Sequence, residues 1–360
     1  MSAATDQHPV KVPPRSKKHS LHRRENGFIT YLERHQISLP IYIMTAIIIA
    51  YLAGVPGTWR FLFIAYQHPD GTYGKGWLDT IFLTFYALFF TALRAIVIRY
   101  ILRPVASAAG IVKKREITRF CEQGWACLYY STAFSVGIYI ASGSEYWFDF
   151  KHFWLGYPHL HFTALFKYYY LLQFSFWIHQ FFVLQIEDPR KDYRELVMHH
   201  VNTCVLIFAS YCCNFTRIGN AVFCSMDFAD IFLALAKCLY YLKFETASNI
   251  VFAFLLVCWT YSRLYVYTGF MYSTLVDSFK YIPNMHLKPS TGWWCPWFVP
   301  YIIFTLLLGL YVLNIFWTYL MFRIAYRTLR GKELKDDRSD DEDEGKKYEN
   351  GHANGNKKAD

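Results

Sequence analysis

The chain has 360 residues, of which 54% are hydrophobic, 20% are aromatic and only 18% are charged, and its formal net charge is +10. Its hydrophobic residues come in blocks of about 20, the length that a helix needs to cross roughly 30 Å of hydrocarbon. A soluble domain would disperse them at helix or strand periodicity, so that class is excluded. Nucleic-acid binding is also excluded, because the positive charge lies in short segments beside the blocks, where it sets topology and attracts anionic lipids.

The apolar blocks are predicted to be transmembrane helices. Unpaired backbone groups in lipid leave only helices or closed barrels, and these blocks do not alternate as barrel strands do. The predicted fold is therefore all-α: a polytopic membrane protein with about eight transmembrane helices. In chain order the predicted spans are residues 39–56, 77–102, 121–141, 163–186, 195–213, 219–242, 248–270 and 297–322.

Lysine and arginine residues predict the orientation of these spans. They are concentrated in the N-terminal tail and in the segments after spans two, four and eight, and the intervening loops have fewer. Because cytosolic segments are enriched in these residues, both termini are predicted to be cytosolic. Two of these loops supply candidate sites for an anionic substrate, and their residues are Lys113, Lys114, Arg115, Arg190, Lys191 and Arg194.

The two tails are predicted to be disordered, because they contain few apolar residues. Residues 1–38 are basic, whereas residues 326–360 carry an acidic block. Ser339 directly precedes Asp340 and Asp341, which makes it a candidate for phosphorylation by an acid-directed kinase. Lys357 and Lys358 resemble the dilysine signal that returns membrane proteins to the endoplasmic reticulum, so that membrane is the expected location.

Several ionisable residues lie inside the predicted spans, where their cost marks them as functional candidates. His199 and His200 lie in span five, and Asp227 and Asp230 share one face of span six with Lys237. A tight turn joins the two spans, so we expect them to pack as antiparallel neighbours. His199 is predicted near the cytosolic end of its span and Asp230 near the middle, so their depths match only if the boundary of span five is off by a turn or more, or if the helices are staggered.

Three arginines inside the spans add to this set. Arg263 in span seven is a candidate for substrate binding, as is Lys237 in span six. Arg94 and Arg99 approach the cytosolic end of span two, where we expect them to snorkel to the interface.

These polar residues allow more than one interpretation. The structural one is that the histidines bridge helices and that Asp230 and Lys237 neutralise each other. The functional one is that imidazole and carboxylate together form an acid–base or nucleophilic centre. Metal ligation is a rival chemistry, but a histidine pair with this aspartate spacing lacks the usual ligand pattern, so no metal is expected. A cytosol-facing, aromatic-lined cavity of this kind suits lipid acyl transfer.

Residues 193–241 resemble the signature of the ceramide synthases, the longevity-assurance branch of the TLC membrane-domain family. The matching parts are the histidine pair in "VMHHVN", the turn "NFTRIG" and the segment "DFADIFLALAKCLYY". The resemblance extends over about residues 75–325, and the chain looks more like the fungal or plant branch than most animal members. It implies a TLC-type barrel of six helices within this catalytic domain, preceded by an N-terminal helix at residues 39–56.

The resemblance also implies an activity, namely acyl-CoA-dependent N-acylation of a sphingoid base such as sphinganine or phytosphingosine. His199 and His200 match the essential pair of the family, Asp227 and Asp230 match its aspartates, and His199 is favoured as the acyl-accepting nucleophile. The expected partners are fatty acyl-CoA, a sphingoid base, membrane lipids, and a small accessory subunit or a dimer partner. No cofactor is expected, since acyl-CoA is a co-substrate.

Two other functions stay open from the sequence. One is a TLC protein without catalysis, acting in lipid sensing or translocation, although such a protein has no need of the histidine pair and the aspartates together. The other is a membrane hydroxylase or desaturase, which requires bound iron.

Overall fold

The computed structural model describes residues 27–186, 192–283 and 285–330, and this part of the chain is mostly helical. Its α-helices, in chain order, are α1 Gly27–Arg34, α2 Ser38–Leu52, α3 Trp59–Leu62, α4 Asp79–Val97, α5 Arg103–Ala108, α6 Lys114–Ser142, α7 Ala164–Ile186, α8 Tyr193–Cys212, α9 Thr216–Tyr241, α10 Glu245–Trp259, α11 Tyr267–Leu275, α12 Asp277–Tyr281 and α13 Val299–Leu329. The π-helical turns Ile98–Leu102 and Thr260–Val266 join α4 to α5 and α10 to α11. Short 3-10 helices cover Phe150–Phe153 and Pro289–Thr291.

Every predicted span contains a helix. Three continuous helices are long and apolar enough to cross a membrane, namely Asp79–Ala108, Glu245–Leu275 and Val299–Leu329. The mostly helical class is confirmed, with one unpredicted addition, the antiparallel hairpin of β1 (Leu287–Lys288) and β2 (Trp293–Trp294). Ser339, Lys357, Lys358, Arg190 and Lys191 lie outside the described residues, as does most of each predicted tail.

Six helical segments form a closed ring. Around it, α6 packs against α9, α9 against α10, the α10–α11 segment against α13, α13 against α8, α8 against α7, and α7 against α6. The helix α4 packs against α7, and α2 packs against α4. Where α4 continues into α5, it also packs against α6. The catalytic candidates on α8 and α9 thus lie in a six-helix barrel that α2 and α4 flank.

Helices α8 and α9 follow each other in the chain but are not neighbours in the ring. They contact each other at only a few positions, because α8 lies between α7 and α13 while α9 lies between α6 and α10. The predicted packing of spans five and six as neighbours is therefore wrong. A tight turn fixes only where two helices meet, and these two diverge from their turn. The space between them is available for a cavity.

A buried ion pair stabilises the end of the barrel where α8 and α9 meet. Lys167 Nζ on α7 lies 2.8 Å from Asp79 Oδ1 at the start of α4, and both side chains are buried. The same ammonium group donates hydrogen bonds to the carbonyl oxygens of Ala65 (2.8 Å) and Gly74 (2.7 Å). The hydroxyl of Tyr211 on α8 donates to Asp79 Oδ2 at 2.8 Å. One charge pair thus connects three helices and the loop before α4.

The hairpin of β1 and β2 contacts the turn between α8 and α9 from outside. Asn214 in that turn is buried, and its Nδ2 donates to the carbonyl oxygen of Gly292 at 2.9 Å. Gly292 has φ of +75°, and a Cβ there would lie 2.5 Å from a side-chain atom of Leu160. A side chain at position 292 would therefore be strained, which favours glycine in this hairpin beside the turn.

Candidate active site

The histidine pair and the carboxylates lie at matching depths. His199 is about 13 residues before the end of α8, and Asp230 is about 14 residues after the start of α9. At about 1.5 Å per residue, each lies roughly 20 Å from the turn that the two helices share. The mismatch in depth expected from the sequence does not arise, because α9 begins earlier than the predicted span.

Two tryptophans flank His199. The ring of Trp177 on α7 lies 5.4 Å from the ring of His199, and the ring of Trp317 on α13 lies 5.2 Å from it, both in edge-to-face arrangements. His200 lies 5.4 Å from His199 and 5.5 Å from Trp177. Because α8 packs between α7 and α13, its two neighbours supply these rings and fix the position of the imidazole.

The two histidines differ in their hydrogen bonds. His200 Nδ1 lies 2.7 Å from the carbonyl oxygen of Leu196. A carbonyl only accepts, so this nitrogen carries the proton and Nε2 of a neutral His200 holds the lone pair. His199 Nδ1 is buried and has no hydrogen-bond partner among the described residues. The backbone, rather than a carboxylate, therefore fixes the tautomer of His200.

Asp227 is held by an amide. Gln173 Nε2 on α7 donates to Asp227 Oδ2 at 2.8 Å, and Gln173 Oε1 accepts from the hydroxyl of Tyr129 on α6 at 2.6 Å. All three side chains lie inside the ring, and Gln173 and Asp227 are almost wholly buried. The network gives the carboxyl group one orientation, facing the cavity described below.

Asp230 is paired with Arg263, whose Nη2 lies 2.6 Å from Asp230 Oδ2. Arg263 also donates to the carbonyl oxygen of Met226 at 3.0 Å and to Asn314 Oδ1 at 3.4 Å. Its guanidinium group lies 4.0 Å from the ring centroid of Trp259. The π-helical turn Thr260–Val266 places it there, and such turns are frequent at functional sites. Arg263 thus compensates the carboxylate charge inside the barrel.

A narrow apolar cavity lies between α8, α9 and α13, with a volume of about 50 Å³. His199, Asp227, Asp230 and Arg263 line it, together with apolar side chains. Its lining along α8 extends from His199 to Ser210, which is about 11 residues or roughly 16 Å of helix. The narrow cavity therefore runs from the histidine toward the turn between α8 and α9.

A second, wide cavity of about 1660 Å³ adjoins the same polar residues. It shares Trp177, His199, Asp230 and Arg263 with the narrow cavity, and His200 also lines it. Its remaining lining is rich in cations, which are Arg34, Arg94, Arg99, Arg103, Lys113, Lys114, Arg115, Arg119 and Lys237. His199 thus stands where an apolar and a basic cavity meet.

Most of the candidates from the sequence meet in this region. His199, His200, Asp227, Asp230, Arg263, Lys237, Lys113, Lys114 and Arg115 line one or both cavities. Arg194 is exposed and is not part of either lining. The snorkelling interpretation of Arg94 is wrong, because this residue is buried and lines the wide cavity, as the exposed Arg99 also does.

Several residues of the site carry no recognisable signal in the sequence. Trp177 and Trp317 are aromatic residues within apolar helices that contain many others, and Gln173 is a single amide in a similar setting. Their roles depend on which helices are neighbours in the ring.

Within the described parts of the chain, no group of three or more His, Cys, Asp or Glu side chains is arranged to hold a metal ion, and all nine cysteines are free.

Comparison with known proteins identifies the family. The family model of the TLC domain matches residues 119–323, which cover the six-helix ring from α6 to α13. The sphingosine N-acyltransferase lag1 of Schizosaccharomyces pombe is 38% identical over 288 residues, covering 79% of this chain and 73% of that protein. The ceramide synthase LAG1 of Saccharomyces cerevisiae is 36% identical over 322 residues, covering 86% of this chain and 78% of that protein.

An animal relative is more distant. The ceramide synthase hyl-1 of Caenorhabditis elegans is 30% identical over 236 residues, covering 64% of this chain and 63% of that protein. The matches to the fungal proteins span most of both chains and include the helices that carry the histidines and carboxylates. The chain therefore belongs to the TLC-domain family and, within it, to the ceramide synthases.

Proposed function

We propose that this protein transfers a fatty acyl group from acyl-CoA to the amino group of a sphingoid base, giving ceramide and free CoA. The observation that carries the proposal is the position of His199 at the junction of an apolar and a basic cavity. An acyl-CoA has the same division, with an apolar chain and an anionic head joined at the thioester. The curated relatives named above carry this activity in their names.

The two cavities match the two parts of this substrate. The narrow cavity, which must widen to hold a whole acyl chain, borders the chain next to the thioester, and the cations of the wide cavity bind the phosphates of CoA. The thioester carbonyl then lies at His199. With its lone pair on Nε2, His200 can take a proton from the amine during transfer. No cofactor is required, because acyl-CoA supplies the activated acyl group.

The proposal also covers the membrane topology, the cellular location and the phosphorylation of the enzyme. We infer eight membrane spans with both termini in the cytosol, which places the wide basic cavity on the side where soluble acyl-CoA is available. Residence in the endoplasmic reticulum is supported by Lys357 and Lys358 at the C-terminus, and Ser339 is the proposed phosphorylation site. Cryo-microscopy of the protein in lipid nanodiscs, combined with cysteine accessibility on intact microsomes, tests the topology.

The decisive experiment is a transfer assay with purified protein. Incubation with palmitoyl-CoA and labelled sphinganine is expected to yield labelled dihydroceramide, detected by mass spectrometry. A protein that binds both lipids without forming product would instead be a lipid-sensing TLC protein. Hydroxylated or desaturated lipid, accompanied by bound iron in elemental analysis, would indicate an oxygenase.

Neutralising the rim of the wide cavity is expected to weaken acyl-CoA binding. The double variant Lys114→Gln/Arg115→Gln removes two charges near the CoA phosphates, so KM for acyl-CoA should rise several-fold while kcat stays unchanged. The difference should shrink at high salt, because exposed charges are screened. The matched control is Lys280→Gln/Lys288→Gln, two exposed lysines at the other end of the barrel. An equal rise of KM in the control would contradict the assignment.

Narrowing the apolar cavity is expected to change the products. Leu307 on α13 is buried and lines this cavity, whereas its neighbour Leu308 is exposed on the outside of the helix. Leu307→Phe should therefore shift the product mixture toward shorter acyl chains, and Leu308→Phe should leave it unchanged. The measurement is competition among acyl-CoAs of several lengths, with lipid mass spectrometry. The placement of the acyl chain fails if both variants keep the wild-type distribution.

A further inference from the structure

Unpartnered polar atoms gather around His199. Buried donors and acceptors are paired in the great majority of cases, so each exception needs an explanation. Six residues of this region have a buried nitrogen or oxygen without a hydrogen-bond partner among the described residues, and they are Trp177, His199, Thr203, Arg263, Asn314 and Trp317. A concentration of such atoms at one point in the barrel indicates partners that arrive with the substrate.

The two indoles are the most informative of these. Trp177 and Trp317 are each only 6% exposed, and the Nε1 atom of each is buried without a partner. An indole N–H is a donor only, and a buried tryptophan usually finds an acceptor. Of the other buried tryptophans, Trp154 donates to Ser273 Oγ and Trp259 to Thr318 Oγ1, both at 2.8 Å. The indole nitrogen of Trp125, on the wall of the wide cavity, also has no partner among the described residues, but its ring is not one of those that contact His199.

Their positions favour one kind of acceptor. Both rings lie beside His199, at 5.4 and 5.2 Å between ring centroids, and both residues line the wide cavity. The atom that needs a donor at this point is the carbonyl oxygen of the thioester, which becomes negative when the carbonyl carbon is attacked. Thr203 lies one turn further along α8, on the wall of the narrow cavity. It therefore borders the acyl chain of the substrate and not the CoA head group.

We propose that the Nε1–H groups of Trp177 and Trp317 form the oxyanion hole of the acyl transfer. This inference rests on the proposed function. An attacking nitrogen, either of His199 or of the sphingoid amine, forms a bond to the carbonyl carbon, and the carbonyl π electrons move onto the oxygen. The two indoles donate hydrogen bonds to this oxyanion. When the amine attacks directly, collapse restores the carbonyl bond and expels the CoA thiolate, which takes up the proton lost from the amine. When one ring nitrogen of neutral His199 attacks, the thiolate takes up the proton from the other ring nitrogen. The amine then displaces the imidazole from the acyl group through a second oxyanion, and its proton returns to the ring.

The arrangement has a physical advantage inside a membrane. Indole donors carry no charge, so they remain inexpensive to bury while the substrate is absent, whereas an ammonium or guanidinium group requires a compensating carboxylate. In the dry interior a fixed N–H dipole is worth more than in water and needs no reorganisation during the reaction.

The test replaces each indole by a ring without a donor. In Trp177→Phe and Trp317→Phe we expect kcat to fall by about 10²-fold each, the typical cost of losing one oxyanion donor. KM for acyl-CoA should stay within twofold of the wild type, because the hydrogen bonds form only in the transition state. S-hexadecyl-CoA, a thioether that lacks the carbonyl group, should bind all variants with wild-type affinity. The control Trp77→Phe removes an indole from the exposed surface and should retain full activity.

Separate outcomes distinguish the possible errors. Wild-type kcat in both phenylalanine variants, with His199→Ala inactive, would overturn the oxyanion hole and leave the proposed function intact. Weaker binding of S-hexadecyl-CoA in proportion to the loss of activity would show that the indoles only shape the cavity. An inactive wild-type protein would overturn the proposed function itself. If a phenylalanine variant unfolds, incorporation of benzothienylalanine keeps the size of the ring and removes only the N–H group.

Discussion

His199→Ala is expected to abolish ceramide formation while leaving the protein folded. His199 lines both cavities, its Nδ1 has no hydrogen-bond partner among the described residues, and two tryptophan rings hold it in place. Removal of an essential nucleophile or base costs several orders of magnitude in kcat, because its partners cannot act without it. The measurement is the initial rate of dihydroceramide formation by purified protein, together with the thermal unfolding midpoint.

The matched control is His161→Ala, which removes an exposed histidine from a loop and should retain full activity. A second readout separates the two roles of His199. Wild-type protein incubated with palmitoyl-CoA alone should gain the mass of one acyl group on the peptide of α8 if His199 carries the acyl group. Absence of the adduct, with His199→Ala still inactive, would make His199 a general base. Full turnover by His199→Ala would remove the histidine from the mechanism.

Lys167→Met is expected to be the most destabilising single substitution outside the active site. It leaves the carboxylate of Asp79 buried without its countercharge, and breaking a buried pair in this way typically costs about 3–5 kcal/mol. The ammonium group also satisfies the carbonyl oxygens of Ala65 and Gly74, which would lose their donor. Thermal unfolding in detergent, followed by tryptophan fluorescence, should show a large decrease in the midpoint.

The double variant Lys167→Met/Asp79→Leu provides the internal test of this argument. Removing both charges avoids the unpaired carboxylate, so the double variant should unfold at a higher temperature than Lys167→Met alone. Lys151→Met breaks the exposed pair with Asp149 and should leave the midpoint nearly unchanged. A midpoint for Lys167→Met equal to that of Lys151→Met would show that the buried pair contributes little.

The sequence predicted the composition of the site better than its packing. His199, Asp230 and Arg263 could be identified because they are ionisable residues inside apolar segments. The free-energy cost of burying an ionisable group in a membrane is a property of the residue itself. The order of the helices around the barrel, in contrast, is not a property of any single residue. Helices α8 and α9 are adjacent in the chain, yet they diverge, since the contacts that α8 makes with α7 and α13 depend on side chains distributed over the whole chain.

The aromatic residues illustrate the same limit. Trp177 and Trp317 belong to helices whose apolar residues all satisfy the requirements of a membrane span, so nothing in their local pattern separates them from their neighbours. Their unpaired indole nitrogens appear only once the ring has closed around His199. The prediction that Arg94 snorkels to the interface is wrong for a related reason. The distance of Arg94 from the end of span two does not show that α4 continues into a segment that lines the wide cavity.

The π-helical turn Thr260–Val266 has a consequence for the history of the chain. Such a turn, with i→i+5 hydrogen bonds, holds more residues than a regular helical turn. Deleting one residue there would restore an ordinary helix and rotate one flank by about 100° relative to the other, since an α-helix has 3.6 residues per turn. The helix would survive, but Arg263 would no longer lie between Asp230 and Asn314. Among related chains, a one-residue gap at this point should therefore coincide with loss of the acidic residue on α9.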